Sequence, residues 1–175
     1  LKRAGATYDK NLLNSKDNVS KYTTASRKAL NLGVYGADMS YSAIFNQNQE
    51  CMSYLECAKN LADQIGSSAA FASETMTRMK ANSGNNDSLL QMISDIFLNS
   101  NEAFKENEQI NISMLAISGG FIEGLYIGTK VAKTLKDNSA VVTRIAELKG
   151  SMNNLVGLLG TQSNDPDVTA VLNDL

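Results

Sequence analysis

Few side chains in this sequence are suited to acid–base or nucleophilic chemistry. The chain contains no histidine, so the commonest general base and the commonest transition-metal ligand are both absent. An enzyme of this composition would need carboxylates such as Glu123 and Asp38 to converge in a cleft with shifted pKa values. No carboxylates in the chain have a spacing specific enough to predict such a site. We therefore expect no enzymatic activity, no metal and no cofactor.

The two carboxylates receive different interpretations from their neighbours in the sequence. Glu123 shares a helix side with Lys130, seven residues later, which predicts a narrow polar strip that reaches solvent. A buried carboxylate with a raised pKa is the alternative for Glu123. Asp38 falls near Arg27 and Asn31 on the polar side of its helix, so we expect it to be solvated.

Tyr126 and Tyr41 complete the set of candidate ligand-binding residues. Each tyrosine has an apolar ring and a hydroxyl group that needs a partner, which suits the wall of a pocket between helices. The candidate ligand-binding residues are therefore Glu123, Tyr126 and Tyr41.

The only cysteines, Cys51 and Cys57, lie six residues apart on one predicted helix. Six residues turn a helix by about 240°, so these two thiols cannot form a disulfide within it. Cys51 shares its face with Leu55 and Ala58, which predicts a small core residue.

Composition indicates a globular helical protein. Of the 175 residues, 43% are hydrophobic and 19% are charged, which suits one domain that buries its own core. One proline and twelve glycines are too few turn residues for a fold of many short strands. The formal net charge of -2, without a basic run, argues against a surface that binds nucleic acid.

The spacing of apolar residues predicts an all-α, compact, single-domain bundle of six or seven helices. A polar N-terminal extension over residues 1–16 precedes a helical domain over residues 17–175. The predicted helices span residues 17–46, 49–65, 70–80, 87–105, 110–136, 139–159 and 166–175. Asp87 and Asp165 are the expected N-caps of the fourth and last helices.

The fifth predicted helix is apolar nearly all round, which is typical of a buried central helix. Small residues recur along it at every fourth position, namely Ala116, Gly120, Gly124, Gly128 and Ala132. The first predicted helix carries a similar row, which includes Ala29, Gly33 and Ala37. Such rows form ridges along which helices pack, so we expect these two helices to be the tight centre of the domain. Gly124→Leu should then destabilise the fold by overpacking.

Three other interpretations of the fifth helix compete with core packing. Rows of small residues also drive helix packing in lipid, so the segment could be a transmembrane helix, although Glu123 interrupts it. It could instead insert into a membrane conditionally, as in helical pore formers. The glycines could also line a groove in which a small molecule touches the backbone.

Three stretches of the sequence carry a resemblance to a known family. They are ALNLGVYGADMSYSAIFNQ at residues 29–47, DSLLQMISDIF at residues 87–97 and SGGFIEGLYIGTKVA at residues 118–132. With these stretches the chain resembles a family of all-helical lipoproteins of the Gram-negative (Bacteroidetes-type) cell envelope. The resemblance implies a secreted chain with an acylated cysteine upstream of Leu1, facing the periplasm or the exterior. That family has no assigned reaction, so it supplies no catalytic residues.

The sequence thus predicts a non-enzymatic binding or interaction module of the bacterial cell envelope. Its expected partner is an envelope protein or a small apolar ligand, and its membrane contact is a lipid anchor only. The alternative is a small-molecule or lipid carrier with an apolar pocket beside the fifth helix, and with Tyr126 or Tyr41 at the pocket wall. Asp87-Ser88-Leu89 also fits a short glycosylation triplet of such envelopes.

Overall fold

The computed structural model describes residues 1–175, all of them in helices or in the turns that join helices. The eight α-helices are α1 (Ala25–Ile44), α2 (Asn48–Ile65), α3 (Ser73–Ala81), α4 (Asn86–Glu106), α5 (Ile110–Thr134), α6 (Ser139–Glu147), α7 (Lys149–Gly160) and α8 (Pro166–Asp174). Shorter 3₁₀ segments lie at Lys2–Ala4, Lys10–Leu12, Lys16–Lys21 and Ser68–Phe71. The all-α fold class is confirmed, with eight helices in place of the six or seven predicted.

Helix ends explain most of the differences from the predicted boundaries. α1 begins at Ala25 because Thr24 caps it, accepting a hydrogen bond from the backbone N–H of Arg27 at 3.2 Å. Asn85, and not Asp87, caps α4, and its side chain accepts from the N–H of Ser88 at 3.1 Å. The N-cap predicted at Asp165 is confirmed.

The predicted helix over residues 139–159 is divided into α6 and α7 at Leu148. Neither helix receives a side-chain cap at this junction. Because both pieces keep one buried side, on which Val141, Leu155 and Leu159 lie, the division does not disturb the apolar pattern that predicted a single helix.

The core is organised around α1. This helix packs most extensively against α5, next against α2, and to a lesser extent against α4. The largest fully buried side chains of the core come from six helices and from the 3₁₀ turn at Ser68–Phe71, with Tyr35, Phe71, Phe104, Leu32, Met39 and Leu55 among them. Cys51 is buried in this core, as its helical position predicts.

The contact between α1 and α5 is a backbone contact made by glycines. A Cβ atom on Gly33 would overlap the carbonyl group of Ala116, and a Cβ atom on Gly119 would overlap the carbonyl oxygen of Leu30. Gly120 lies beside the same crossing. A Cβ atom added to Gly120 would lie 3.3 Å from the carbonyl oxygen of Gly33. The absence of side chains at these positions lets the two backbones touch, which increases the dispersion contacts between the helices around this crossing.

The predicted ridge is wrong for the C-terminal half of α5. Gly124 is exposed, and nothing lies within 4 Å of a Cβ atom added there. Gly128 meets only Ile145 of α6, at 3.8 Å. A row at every fourth residue drifts by about 40° per step around the helix, so it leaves α1 after Gly120. Gly119, which lies off the row, meets the backbone of Leu30 as closely as Gly33 meets that of Ala116.

The small residues of α1 also divide between two environments. Ala29 is fully buried in the core, as the ridge requires. Ala37 is half-buried and lines a cavity between α1, α4 and α5. The small-residue row of α1 therefore serves packing at one end and leaves space at the other.

By length and composition, α5 is the one helix that could cross a membrane. Of its most apolar window, 44% is buried inside the domain. The core helix of a soluble protein meets the same criteria, so this finding is weak evidence for a membrane span.

The N-terminal residues form part of the packed domain and not a free extension. The ring of Tyr8 stacks on Tyr41 with 5.3 Å between centroids. The hydroxyl groups of Tyr35 and Tyr54 donate to the backbone oxygens of Ser15 and Asn14, each at 3.0 Å. The N-terminal segment, Leu1–Lys21, therefore covers one face of α1 and α2.

Candidate functional site

The structure brings together the two carboxylates that an enzyme of this composition would need. Asp38 of α1 is fully buried, with 0% of its surface exposed, and Glu123 of α5 is half-buried. Their carboxyl groups are in hydrogen-bonding contact. The prediction that Asp38 is solvated is wrong. The N-terminal segment covers the side of α1 on which Asp38 lies, although the charged and amide residues of this side predicted that it would face solvent.

Asp38 has little hydrogen-bonding support from the rest of the protein. Its Oδ2 atom accepts from the backbone N–H of Asn14 at 3.2 Å. Its Oδ1 atom receives no hydrogen bond from any N–H or O–H group of the chain. The ion pairs of the protein lie elsewhere, at Lys16–Glu50, Lys59–Asp63 and Arg144–Glu147. The carboxyl pair is therefore buried without a cationic side chain.

These surroundings raise the pKa of both carboxyl groups. Burial, followed by repulsion from Glu123, raises the pKa of Asp38 to about 8, although the Asn14 N–H acts in the opposite direction. Burial also raises the pKa of Glu123, and its hydrogen bond with Asp38 lowers it. At neutral pH these effects favour the protonated form of Asp38.

Glu123 opens onto a polar cleft of about 360 Å³ between the N-terminal segment, α1 and α5. The cleft is lined by Asn11, Leu12, Leu13, Asn14, Tyr22, Asn31, Val34, Glu123 and Tyr126. Asn14 is the centre of its hydrogen-bond network, because its side-chain amide donates to the Tyr22 hydroxyl at 2.8 Å and to Asn31 at 3.3 Å. Sequence reasoning missed Asn14, which lies in a polar stretch without helical periodicity.

A second cavity, also of about 360 Å³, lies on a different face of α1 and is mostly apolar. It lies between α1, α4 and α5, and its principal walls are Leu32, Ile93, Phe97, Phe104 and Ile117. The ring of Phe97 packs directly on the backbone of Gly36, where a Cβ atom would overlap the ring. A glycine at this position thus allows an aromatic wall to stand against α1.

The apolar cavity has one polar end. Ser100 is 2% exposed and lines the cavity, and its hydroxyl group has no hydrogen-bond partner. Nearby, the Ser113 hydroxyl donates to the side-chain oxygen of Asn101. The sequence does contain a signal for Ser100, since it lies four residues from both Ile96 and Phe104 on the apolar face of α4.

The three candidate ligand-binding residues do not converge. Tyr126, 40% exposed, lines the polar cleft together with Glu123. Tyr41 belongs to a separate aromatic cluster with Tyr8 and Phe45, and its hydroxyl accepts from the N–H of Asp9 at 3.1 Å. Neither tyrosine lines the apolar cavity. The expectation that one of them forms its wall is therefore wrong.

The remaining reactive side chains do not form a site. Both cysteines are free, and burial raises the pKa of the Cys51 thiol to about 12, which makes it a poor nucleophile. No three His, Cys, Asp or Glu side chains are grouped so that they could hold a metal ion.

Comparisons with known proteins do not assign these sites. The chain matches no protein-family model, no curated protein and no solved structure.

Proposed function

We propose that this protein is a non-enzymatic binding protein of the bacterial cell envelope that holds a small, neutral and largely apolar molecule. The binding site is the cavity between α1, α4 and α5. The observation that carries the proposal is the combination of aromatic and aliphatic walls with a buried hydroxyl group, that of Ser100, that has no hydrogen-bond partner.

The size and walls of the cavity suit such a ligand. Binding pockets for small molecules have volumes of roughly 300 to 1,000 Å³ and are lined mainly by apolar side chains with a few polar groups. At about 360 Å³ the cavity lies at the small end of this range. Burial of apolar surface contributes about 25 cal/mol per Å², so the walls supply most of the affinity.

The polar end supports a neutral ligand with one hydrogen-bonding group. A buried hydroxyl group without a partner costs roughly 1–3 kcal/mol, and a carbonyl or hydroxyl oxygen of the ligand would relieve this cost. No Lys, Arg, Asp or Glu side chain lines the cavity. A charged head group would therefore be buried without a counter-ion, which argues against fatty acids and other anions.

The envelope location in this proposal is supported by the family resemblance. Two of the stretches that carry it, residues 29–47 and 118–132, contain the glycines of the α1–α5 crossing and both members of the carboxyl pair. The native sequence upstream of Leu1 tests the location, since it should contain a secretion signal followed by a cysteine that can be acylated.

Fluorescence of N-phenyl-1-naphthylamine, a neutral apolar probe, tests the binding function. The probe should bind to the unaltered protein and gain fluorescence. Ala37→Leu places a larger side chain into the cavity and should weaken binding by about tenfold or more. Ala146→Leu, at an exposed position of α6, is the matched control and should bind as the unaltered protein does. Equal binding by both variants would contradict the proposal.

A further inference from the structure

The shape of the apolar cavity defines the class of its ligand more narrowly than its volume does. On the basis of the function proposed above, we propose that this cavity binds the linear acyl chain of a neutral ester or amide, with the acyl carbonyl group at Ser100. Three observations carry the inference: the length of the cavity, the small residues along one side of it, and the hydrogen-bonding groups at one end.

The cavity is long and narrow. On α4 its lining residues recur at every third or fourth position from Leu90 to Phe104, with Ile93 and Phe97 between them. This stripe is about 21 Å long, because an α-helix rises by about 1.5 Å per residue. A volume of about 360 Å³ spread along that length suits a linear chain better than a compact ring system.

The two ends of the cavity are distinct, because α1 and α4 run antiparallel along it. The side-chain amide of Asn86, at the start of α4, donates to the side-chain oxygen of Asn46, just beyond the end of α1. Ser40 of α1 therefore lies at the same end of the cavity as Leu90 of α4, and Ser100 lies at the other end.

Small residues of α1 and α5 line the side of the cavity opposite α4, namely Gly33, Gly36, Ala37, Ala116 and Gly120. Because they have little or no side chain, a ligand can lie directly against the two backbones. Ile117 lines the cavity and yet is 43% exposed, and Phe97 is only half-buried. An acyl chain along the cavity would cover both of these apolar side chains, and such burial is favourable.

The hydrogen-bonding groups that remain available lie at the Ser100 end. The Ser100 hydroxyl is buried and has no partner. The neighbouring Asn101 side chain lines the cavity and accepts the Ser113 hydroxyl on its oxygen, which leaves its N–H₂ group free to donate. A hydroxyl and an amide N–H₂ group are both donors, so they match the lone pairs of a carbonyl oxygen. At the other end, the Ser40 hydroxyl already donates to the Gly36 carbonyl oxygen at 2.9 Å.

A neutral carbonyl group fits this end better than a carboxylate does. No cationic side chain lines the cavity, so an ionised carboxylate would lose its hydration without gaining a counter-ion. The carbonyl carbon of an ester or amide also carries an alcohol or amine part. Because Asn101 is only half-buried, that part can leave the cavity beside it.

Displacement of N-phenyl-1-naphthylamine by a long ester, methyl undecanoate, and a short ester, methyl hexanoate, tests the orientation of the chain. Ser40→Leu fills the end of the cavity that only the long chain reaches. It should weaken methyl undecanoate by about tenfold or more and methyl hexanoate by less than about twofold. Ser53→Leu is the matched control, because Ser53 is a half-buried serine of α2 whose hydroxyl likewise donates within its own helix, to Gln49. It should weaken neither ester.

Comparison of methyl undecanoate with dodecane, which has the same number of carbon atoms, tests the position of the carbonyl group. Ser100→Ala should weaken the ester by about fivefold or more relative to the hydrocarbon, because only the ester loses a hydrogen bond. Ser100→Ala removes a single atom, so this comparison remains decisive if Ser40→Leu does not fold.

The contrary outcomes distinguish this inference from the function on which it rests. If neither the probe nor either ester binds to the unaltered protein, both the function and the inference are wrong. If the esters bind but Ser40→Leu weakens the long and the short one equally, the ligand does not extend along the cavity. If Ser100→Ala weakens dodecane as much as the ester, the carbonyl group does not lie at Ser100. Each of the last two results overturns the inference and leaves the proposed binding function in place.

Discussion

The backbone N–H of Asn14 donates to Asp38 Oδ2 at 3.2 Å and thereby ties the N-terminal segment to the carboxyl pair between α1 and α5. Asn14 also accepts the hydroxyl of Tyr54 on its backbone oxygen at 3.0 Å. A residue outside the predicted helical domain therefore helps to bury the carboxyl group of Asp38. Stability, pH dependence and the polar cleft are linked through this one residue.

The stability of the protein should decrease as the pH rises. The pKa of Asp38 is raised from 3.8 to about 8 in the folded protein, so the folded state binds this proton more tightly than the unfolded state. Its stabilising contribution is fully present below the unfolded pKa of 3.8 and is lost as the pH rises through about 8. Urea unfolding between pH 5 and pH 9 should show a loss of up to about 1.4 kcal/mol per pH unit. Asp38→Asn should flatten this dependence, whereas Glu102→Gln should preserve it.

Gly119 and Gly124 should respond oppositely to alanine. Gly119→Ala places a Cβ atom on the carbonyl oxygen of Leu30, and we expect destabilisation of about 1–3 kcal/mol from overpacking. Gly124→Ala meets open space, so it should stabilise α5 by about 0.5–1 kcal/mol through helix propensity. Thermal melts of the two variants provide the test. A melting temperature that falls equally in both would contradict the observed crossing of α1 and α5.

Ser100→Ala should have different effects on the stability of the protein and on its affinity for a ligand. The substitution removes a buried hydroxyl group that has no partner, so the free energy of unfolding should stay the same or rise by about 1 kcal/mol. In the same variant, a ligand with one carbonyl or hydroxyl group should lose affinity relative to its hydrocarbon analogue. Comparison of chemical unfolding with titration of the two ligands measures both effects. A clear loss of stability would show that the hydroxyl already has a partner.

Tyr8→Ala should destabilise the protein although it lies in the predicted N-terminal extension. Its ring stacks on Tyr41 at 5.3 Å and packs near Phe45 at 6.1 Å between centroids. Loss of this half-buried aromatic side chain should reduce the free energy of unfolding by about 2 kcal/mol. An exposed control such as Leu98→Ala on α4 should have a much smaller effect. Urea denaturation of both variants measures the difference.

The sequence predicted the helices and core residues whose apolar spacing is regular. The spacing of apolar residues identified α2, α4 and α5 to within two residues at each end, and it placed Cys51 in the core. The sequence predicted that Asp38 would be exposed to solvent. A helical pattern distinguishes the polar side of α1 from its apolar side, but it does not show which other segment covers the polar side. Burial of that side depends on the tertiary path of the N-terminal segment, whose 3₁₀ turns have no long period.

The glycine ridge shows a similar limit. Small residues at every fourth position indicate where a partner helix can approach, but not how long the two helices stay in contact. In the structure the direct backbone contact ends near Gly120, whereas Tyr41 of α1 and Ile127 of α5 still share a hydrophobic cluster beyond it. The two cavities were equally beyond sequence reasoning, since each is assembled from at least two segments distant in the chain.

The touching backbones of α1 and α5 also affect how the chain acquires its structure. Gly33 contacts Ala116 and Gly120, from which it is separated in sequence by α2, α3 and α4, so the entropy cost of closing a long loop opposes this contact. Folding rates decrease as contacts become more distant in sequence. The centre of this domain thus depends on a contact between segments distant in sequence, and during synthesis α1 cannot bury its glycine face before α5 has left the ribosome.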